Sequence, residues 1–276
     1  MTNQFEWTGQ VGKVWAAEWQ RTDRSFTPVT HRLLEAAQSQ GFAQALDIGC
    51  GAGELAVSLA AEAPSARVIG VDVSDELLGI ARERGDALPN LRFELCDAAA
   101  WTPGEGERPD LLVSRHGVMF FDDPVAAFAH VAGEAAPGAN LVFSCFRERG
   151  ANAWVRELAS ALPPGEGPKP DPDAPGPFAF GNRDRVASIL ADAGWREIDF
   201  EPIDYPMLAG EGPGAVDEAL SYFLRIGPAA RVAASLEGKQ REDALAGLRN
   251  VMERNLSDTR VTLPAACWIV TARAPG

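Results

Sequence analysis

The sequence predicts an α/β fold, a doubly wound and mostly parallel sheet, on two observations. Between residues 43 and 146, short apolar runs alternate with stretches of helical periodicity. That order builds a parallel sheet with helices on both faces. The first run, Ala45-Leu-Asp-Ile-Gly-Cys-Gly-Ala-Gly-Glu54, ends in three alternating glycines. Phe42, Ala45, Leu46 and Ile48 read as a buried strand, while Leu55, Ala56, Leu59 and Ala60 recur at helical spacing. The glycines therefore form a strand-to-helix turn. At 276 residues the chain is long enough to bury a substantial core.

The elements follow in order. Residues 1–40 read as helical: Val11, Val14, Trp15 and Trp19 fall at near-helical intervals, and a second helix is expected from Pro28 through Ala37, with Pro28 in its first turn. Val68 to Asp72 is a second apolar strand, after which Ser74 caps a helix and Asp75 and Glu76 favour its dipole. Phe93 to Ala98 forms a third strand run and Pro109 to Ser114 a fourth. Asp123-Pro124 opens a helix ending near Gly133 or Pro137, and Leu141 to Phe146 is a fifth strand. Composition changes at 147, and residues 163–177 hold seven prolines. Such a loop after the fifth strand can reach the carboxyl edge of the sheet, where ligands bind in open α/β folds. Asn182 to Ala193 reads as a helix stopped by Gly194, and Trp195 to Ile203 as a sixth strand. Helical patterns then occupy 215–225 and 228–255 before a last strand, Ala265 to Ala272. The expected division is a helical cap over 1–40, a core over 41–204 and 259–276, and a helical insertion over 205–258 acting as a lid. There is no internal repeat.

Composition excludes several partners. A formal net charge of −14 argues against nucleic acid and anionic membrane surfaces, which draw on clustered Lys and Arg. Arg147, Arg149 and Arg156 are the densest basic group. The amino terminus lacks the charged-then-apolar layout of a secretory signal, and no run approaches the roughly 18 apolar residues of a membrane span. Cys50, Cys96, Cys145 and Cys267 are widely spaced and read as small buried thiols, which fits a reducing cytoplasm rather than a disulfide framework or zinc site. No metal cluster is expected, since Asp122 and Asp123 are adjacent and no histidine pairs with them.

The dinucleotide fingerprint G-x-G-x-x-G fits the glycine turn poorly, because its third glycine falls on Glu54. A pyrophosphate there would face Asp47 and Glu54 with no nearby cation, so a cationic ligand suits the turn better. The pattern of Asp47, Gly49, Gly51 and Gly53 resembles the first motif of the class I S-adenosylmethionine-dependent methyltransferases. The four later strand runs stand in register with that family's motifs, so the resemblance covers residues 43–146. The flanks are similar to the small-molecule branch related to ubiquinone-pathway methyltransferases. The resemblance implies a seven-stranded sheet of order 3-2-1-4-5-7-6 with an antiparallel seventh strand. It also implies S-adenosylmethionine as cofactor and a small-molecule acceptor with an oxygen or nitrogen nucleophile. The family usually joins strands six and seven by a short hairpin, which marks 205–258 as inserted. Competing readings are an NAD-dependent oxidoreductase, a non-catalytic S-adenosylmethionine-binding protein, and an enzyme using the sulfonium for other chemistry. A homodimer fits any of them.

Methyl transfer requires alignment, and removal of a proton if the nucleophile is a hydroxyl. Gly49, Gly51 and Gly53 let the backbone approach the methionine part, and Asp47 favours its cationic end. Asp72, at a strand end, is placed to accept from both ribose hydroxyls. The resemblance makes Asp97 and the Ala98 backbone the adenine-reading pair, and Cys50, Val73 and Ser114 complete the cofactor set. Trp101 is open between stacking near the adenine and buried packing. His116 follows the fourth strand, where the transferred methyl should point. It reads either as a general base, with a rate limb near pH 6 to 7, or as a pocket wall. Arg115 pairs with an acidic substrate or with Asp122 or Asp123. Trp7, Trp15 and Trp19 form an aromatic cap over the ligand or pack their helices, and Trp154 and Phe178 to Phe180 are further candidates for substrate contact. His31 and His130, on helices, read as structural.

Overall fold

The computed structural model describes residues 7–164, 171 and 173–276. The expectations for residues 1–6, and for 165–170 and 172 within the proline-rich loop, lie outside the described residues.

The strands are β1 (Gln44–Ile48), β2 (Arg67–Asp72), β3 (Leu91–Leu95), β4 (Leu111–Arg115), β5 (Asn140–Phe146), β6 (Arg196–Glu211), β7 (Leu256–Ser257) and β8 (Arg260–Arg273). They form one sheet of order β3-β2-β1-β4-β5-β8-β6, with the two-residue β7 paired to β8. The first five strands run parallel, and β8 is antiparallel to both neighbours. With β8 as the seventh long strand, this is the predicted doubly wound order; the extra strand is a short arm at the β7–β8 turn. Leu46, Leu112, Val113 and Phe143 are wholly buried in the sheet. Each such side chain contributes about 1.5–3 kcal/mol.

The described helices are α1 (Gln10–Ala17), α2 (Trp19–Gln38), α3 (Glu54–Glu62), α4 (Asp75–Gly85), α5 (Pro124–Glu134), α6 (Ala153–Ser160), α7 (Arg183–Asp192), α8 (Ala215–Phe223), α9 (Pro228–Ala234) and α10 (Gly238–Arg254). Local chemistry sets several ends. The Ser74 hydroxyl accepts from Leu77 N–H, Asp123 from Ala126 N–H, and Asn182 from Asp184 and Arg185 N–H.

Three sequence expectations need correction. Pro28 does not begin a helix but lies inside the 20-residue α2. The interior proline removes one intrahelical donor, a cost of about 3 kcal/mol. Phe26, Val29, Leu33, Leu34 and Ala37, buried along one side of α2 where it packs on β4, β5 and β6, outweigh that cost. Strand β6 does not stop at Ile203, and β8 starts before Ala265: the pair continues through Tyr205–Ala265 and Leu208–Thr262 to Glu211–Arg260. Residues 205–211 therefore belong to the sheet. Pro206 and Pro264 argue against strand there, yet each tolerates its position. β6 is an edge strand, and β5 pairs with β8 only from Cys267 onward. Finally, α6 was not anticipated from the sequence.

Helices α8 to α10 fill the 215–254 region. α8 packs on β6 and on α10, and α10 on α6. Tyr222 and Phe223 of α8 are buried, with the Tyr222 hydroxyl 3.4 Å from Thr22 Oγ1 and the Phe223 ring 6.4 Å from Trp154.

Candidate functional site

A cavity of about 360 Å³ lies at the carboxyl ends of β1 to β5. The sheet is wound so that each strand delivers one turn to this edge. β1 brings Gly49, Cys50 and Gly51; β2 brings Asp72 and Val73; β3 brings Asp97 and Ala98; β4 brings Arg115 and His116; and β5 brings Phe146. Trp15, Trp19, Asp23 and Phe26 close it from the two amino-terminal helices.

The glycine turn is built by a close backbone crossing. Gly49 has φ of +63°, and a Cβ on it would stand 3.0 Å from Gly117 Cα. A Cβ on Gly117 would in turn stand 2.6 Å from the Ile48 carbonyl oxygen. The Ser114 hydroxyl fastens the same crossing, donating to Ile48 O at 2.7 Å and accepting from Gly117 N–H at 3.1 Å. Ser114 is wholly buried and does not line the cavity, so its part is structural. Gly53 also stands back from the cavity. Its φ is +82°, and a Cβ there would press on Ala81 and Phe93.

Asp72 bridges the two loops beside it. Its Oδ2 accepts from Gly51 N–H at 2.8 Å and its Oδ1 from Ser74 N–H at 2.9 Å. Desolvation pushes its pKa up, and the backbone amides oppose this. Each oxygen keeps a further lone pair, the bidentate acceptor that a vicinal diol needs. Asp97 Oδ1 accepts from Ala99 N–H at 2.9 Å, which fixes the turn carrying Ala98.

Asp47 is the anomaly of the site. It is 1% exposed, and neither carboxylate oxygen has a side-chain partner, the Ala56 amide being the one backbone donor that acts on it. Burial raises its pKa to about 7; Arg115 and the Ala56 amide pull the other way, and Asp72 adds to the rise. Buried ionisable groups ordinarily carry partners, so an unpaired carboxylate lining a cavity calls for a cationic one.

Arg115 pairs with neither Asp122 nor Asp123. It forms ion pairs with Glu54 and with Asp23, the latter at 2.7 Å, and donates to Thr30 Oγ1 at 2.9 Å. Asp23 also takes Arg84 at 2.8 Å, which donates to the Ala52 carbonyl at 2.7 Å and lies over the Trp19 ring at 4.3 Å. Glu54, raised to about 7 chiefly by burial, is held partly ionised by Arg115. These groups tie α2 to the glycine turn. Sequence reasoning missed Asp23 and Phe26, which carry no motif.

His116 sits at φ of +64°, a strained setting for a non-glycine residue, between the Phe26 and Phe146 rings at 4.8 and 4.5 Å. Its Nε2 is 3.7 Å from Cys267 Sγ, and its Nδ1 has no partner. Burial, helped by Arg115, drives its pKa down to about 3. Burial of this kind argues against a rate limb at pH 6 to 7 from this residue, since a weakly basic imidazole makes a poor general base. In an NMR titration of the three histidines, the His116 ring signals should stay unchanged from pH 8 down to about pH 5. A midpoint near 6.5 for His116 would show that the ring is not held neutral.

The remaining candidates divide. Trp7 meets Trp15 at 5.4 Å and Phe120 at 5.1 Å, and Trp7, Trp15, Trp19 and Phe120 all line the cavity. Trp101 lies in the core, donating to Glu94 at 2.8 Å, and accepts His130 at its carbonyl. Trp154 and Phe178 to Phe180 pack behind Phe146 or deeper, and among the described residues of the proline-rich loop Pro177 alone lines the cavity. No described residue of 205–258 does.

Residues 45–138 match a family model described as a methyltransferase domain. Among curated relatives, the chain is 32% identical over 149 residues to the trans-aconitate 2-methyltransferase of Paracidovorax citrulli (strain AAC00-1), covering 53% of this chain and 56% of the relative. It is 31% identical over 180 residues to that of Variovorax paradoxus (strain S110), covering 64% and 63%. The chain thus spans less than two thirds of the length of these relatives. Among solved structures, Haemonchus contortus phosphoethanolamine N-methyltransferase 2 with S-adenosyl-L-methionine matches with a TM-score of 0.56 at 17% identity, over 97% of this chain and 58% of that one. The [4+2]-cyclase SpnF matches with a TM-score of 0.51 at 21% identity, over 90% and 81%. These two likenesses show the fold.

Proposed function

We propose that this chain, which belongs to the class I S-adenosylmethionine-dependent methyltransferases, transfers a methyl group from S-adenosylmethionine to an oxygen or nitrogen of a small molecule. The observation that carries the reading is the unpaired Asp47 carboxylate beside a glycine turn and a strand-end acid, a donor set that fits an amino acid joined to a nucleoside. Asp47 would hold the ammonium group, the turn backbone the methionine part, Asp72 the ribose hydroxyls, and Asp97 with Ala98 the adenine; Cys50 and Val73 wall the same cleft. When bound, the sulfonium supplies an activated methyl, which bonds to the acceptor's lone pair as the carbon–sulfur bond breaks and sulfur keeps the electron pair. The protein's own task is then alignment and exclusion of water, performed by Trp15, Trp19, Phe26, Phe146 and the neutral His116. His116 serves as a pocket wall in this scheme, and Arg115 positions the walls rather than the substrate.

An NAD-dependent oxidoreductase is not favoured, because the turn presents Asp47 to any pyrophosphate and Arg115 is already engaged by Asp23 and Glu54. The [4+2]-cyclase neighbour shares the fold alone. Trans-aconitate, the acceptor named for the relatives, is a tricarboxylate and is not carried over. Among the described residues no helix is long and apolar enough to cross a membrane. The net charge of −14 and the free thiols of all four cysteines support a cytoplasmic enzyme without a nucleic-acid partner.

Asp72→Ala tests the assignment. Losing hydrogen bonds to a charged group should weaken S-adenosylmethionine binding by about 1.5–3 kcal/mol, roughly ten- to hundredfold by calorimetry. NAD should bind neither protein. Equal affinities in wild type and variant, or NAD binding comparable to that of S-adenosylmethionine, would overturn the reading.

A further inference from the structure

The cavity has two chemically different ends. One surrounds the glycine turn with Asp47, Asp72 and Asp97, which the methyl donor accounts for. The other is walled by rings. Phe26, His116 and Phe146 stand within 4.5 to 6.0 Å of one another, with the last two nearly parallel at 16°. Phe120, Trp7 and Trp15 make a second cluster on the same cavity. Arg115 is the one Lys or Arg lining the cavity among the described residues, and its guanidinium is spent on Asp23, Glu54 and Thr30. Asp122 and Asp123 add negative charge at the rim.

Among the described residues lining the cavity, a carboxylate acceptor would find no free Lys or Arg to pair with, and Asp122 and Asp123 would repel it at the rim. A flat uncharged ring would instead gain stacking contacts on both aromatic clusters and lose little hydration. A cationic acceptor is disfavoured differently: it would lie against the sulfonium, and an ammonium nitrogen has no lone pair to methylate. We infer that the acceptor is an uncharged, ring-bearing small molecule, and that the protein has departed from the tricarboxylate acceptor named for its relatives. The inference rests on the methyl-transfer reading.

The test uses the whole protein loaded with S-adenosylhomocysteine, the demethylated donor. Binding of that compound by calorimetry is the control for the cofactor reading, and its failure counts against that reading alone. The loaded protein is then titrated with 2-naphthol and with trans-aconitate at low and high salt. 2-Naphthol should bind at least about tenfold more tightly, with no loss at high salt. Phe120→Ala, a change at a half-buried ring, should weaken 2-naphthol about tenfold and leave S-adenosylhomocysteine unaffected. Equal or tighter binding of trans-aconitate, or no binding of 2-naphthol to the loaded protein, would overturn the inference.

Discussion

Asp47→Asn should make the free protein more stable while making it a poorer binder of S-adenosylmethionine. Burial raises the carboxylate's pKa to about 7 in the folded state, against an ordinary value of 3.8. A group whose pKa is raised on folding penalises the folded state once pH passes the unfolded value, and the penalty is complete above the folded value. For Asp47 the difference corresponds to about 4 kcal/mol above pH 7. An asparagine amide at the same place removes the charge but leaves its own unpaired polar atoms, a cost of about 1–3 kcal/mol. The net gain is then about 1–3 kcal/mol at pH 8, read by urea unfolding, and it should shrink and then reverse as pH falls toward 4, where the carboxyl is protonated and only the asparagine's cost is left. Binding should move oppositely, weakening roughly ten- to hundredfold with loss of the charged partner. Near neutral pH the wild type should also release a fraction of a proton on binding the donor. Calorimetry in buffers of different ionisation enthalpy reads that release, and the variant should lack it. A variant less stable than wild type at pH 8, or one that binds unchanged, would remove Asp47 from the cofactor site.

Arg115→Met should be the most damaging single change in the site. It leaves Asp23 and Glu54 facing each other in a largely buried setting, and breaking such pairs costs about 3–5 kcal/mol. Glu54 sits near 7 even with its arginine present, so without it the carboxyl takes up a proton more readily. The loss should therefore be larger at pH 8.5 than at pH 5.5. Adding Glu54→Gln should recover part of it, as expected for groups that interact directly. A pH-independent loss below about 1 kcal/mol would show that the ion pairs are peripheral.

The parts of this site that could be read in the sequence are those whose chemistry is local. Gly49, Gly51, Asp72 and Asp97 lie within a few residues of a strand end, where an apolar run and its terminus reveal the element and its place at the cavity edge. Asp23 and Phe26 could not be read this way. They act through contacts with Arg115 and His116, some 90 residues distant, and their own neighbourhood is an ordinary amphipathic helix. His116 was placed correctly by its position after β4, yet its protonation state depends on rings from α2 and β5 that only the fold assembles. The same division holds for the fold. The parallel half was legible strand by strand. The long β6–β8 arm was not, because Pro206 and Pro264 signal a break that an edge strand and a half-paired strand do not need to make.

The bonding of α2 also governs how ligands come and go. Arg115, Asp23, Arg84 and the Ala52 carbonyl fasten α2 to the turn it covers, so it cannot swing aside without exposing unpaired charges. α1 is held more lightly. Gly12 packs directly on Ser74, and the one ion pair between α1 and α4, Lys13 to Glu76, spans 3.9 Å and is largely exposed. Glu18, between the two helices, leaves helical geometry with φ of −107° and ψ of +12°. α1 is therefore the segment expected to move as ligands pass, carrying Trp15 with it, while the floor beneath the cofactor stays fixed. Exchange of ligands in such a site is then expected to depend on how firmly the α1–α4 packing holds, rather than on the buried ion pairs beneath it.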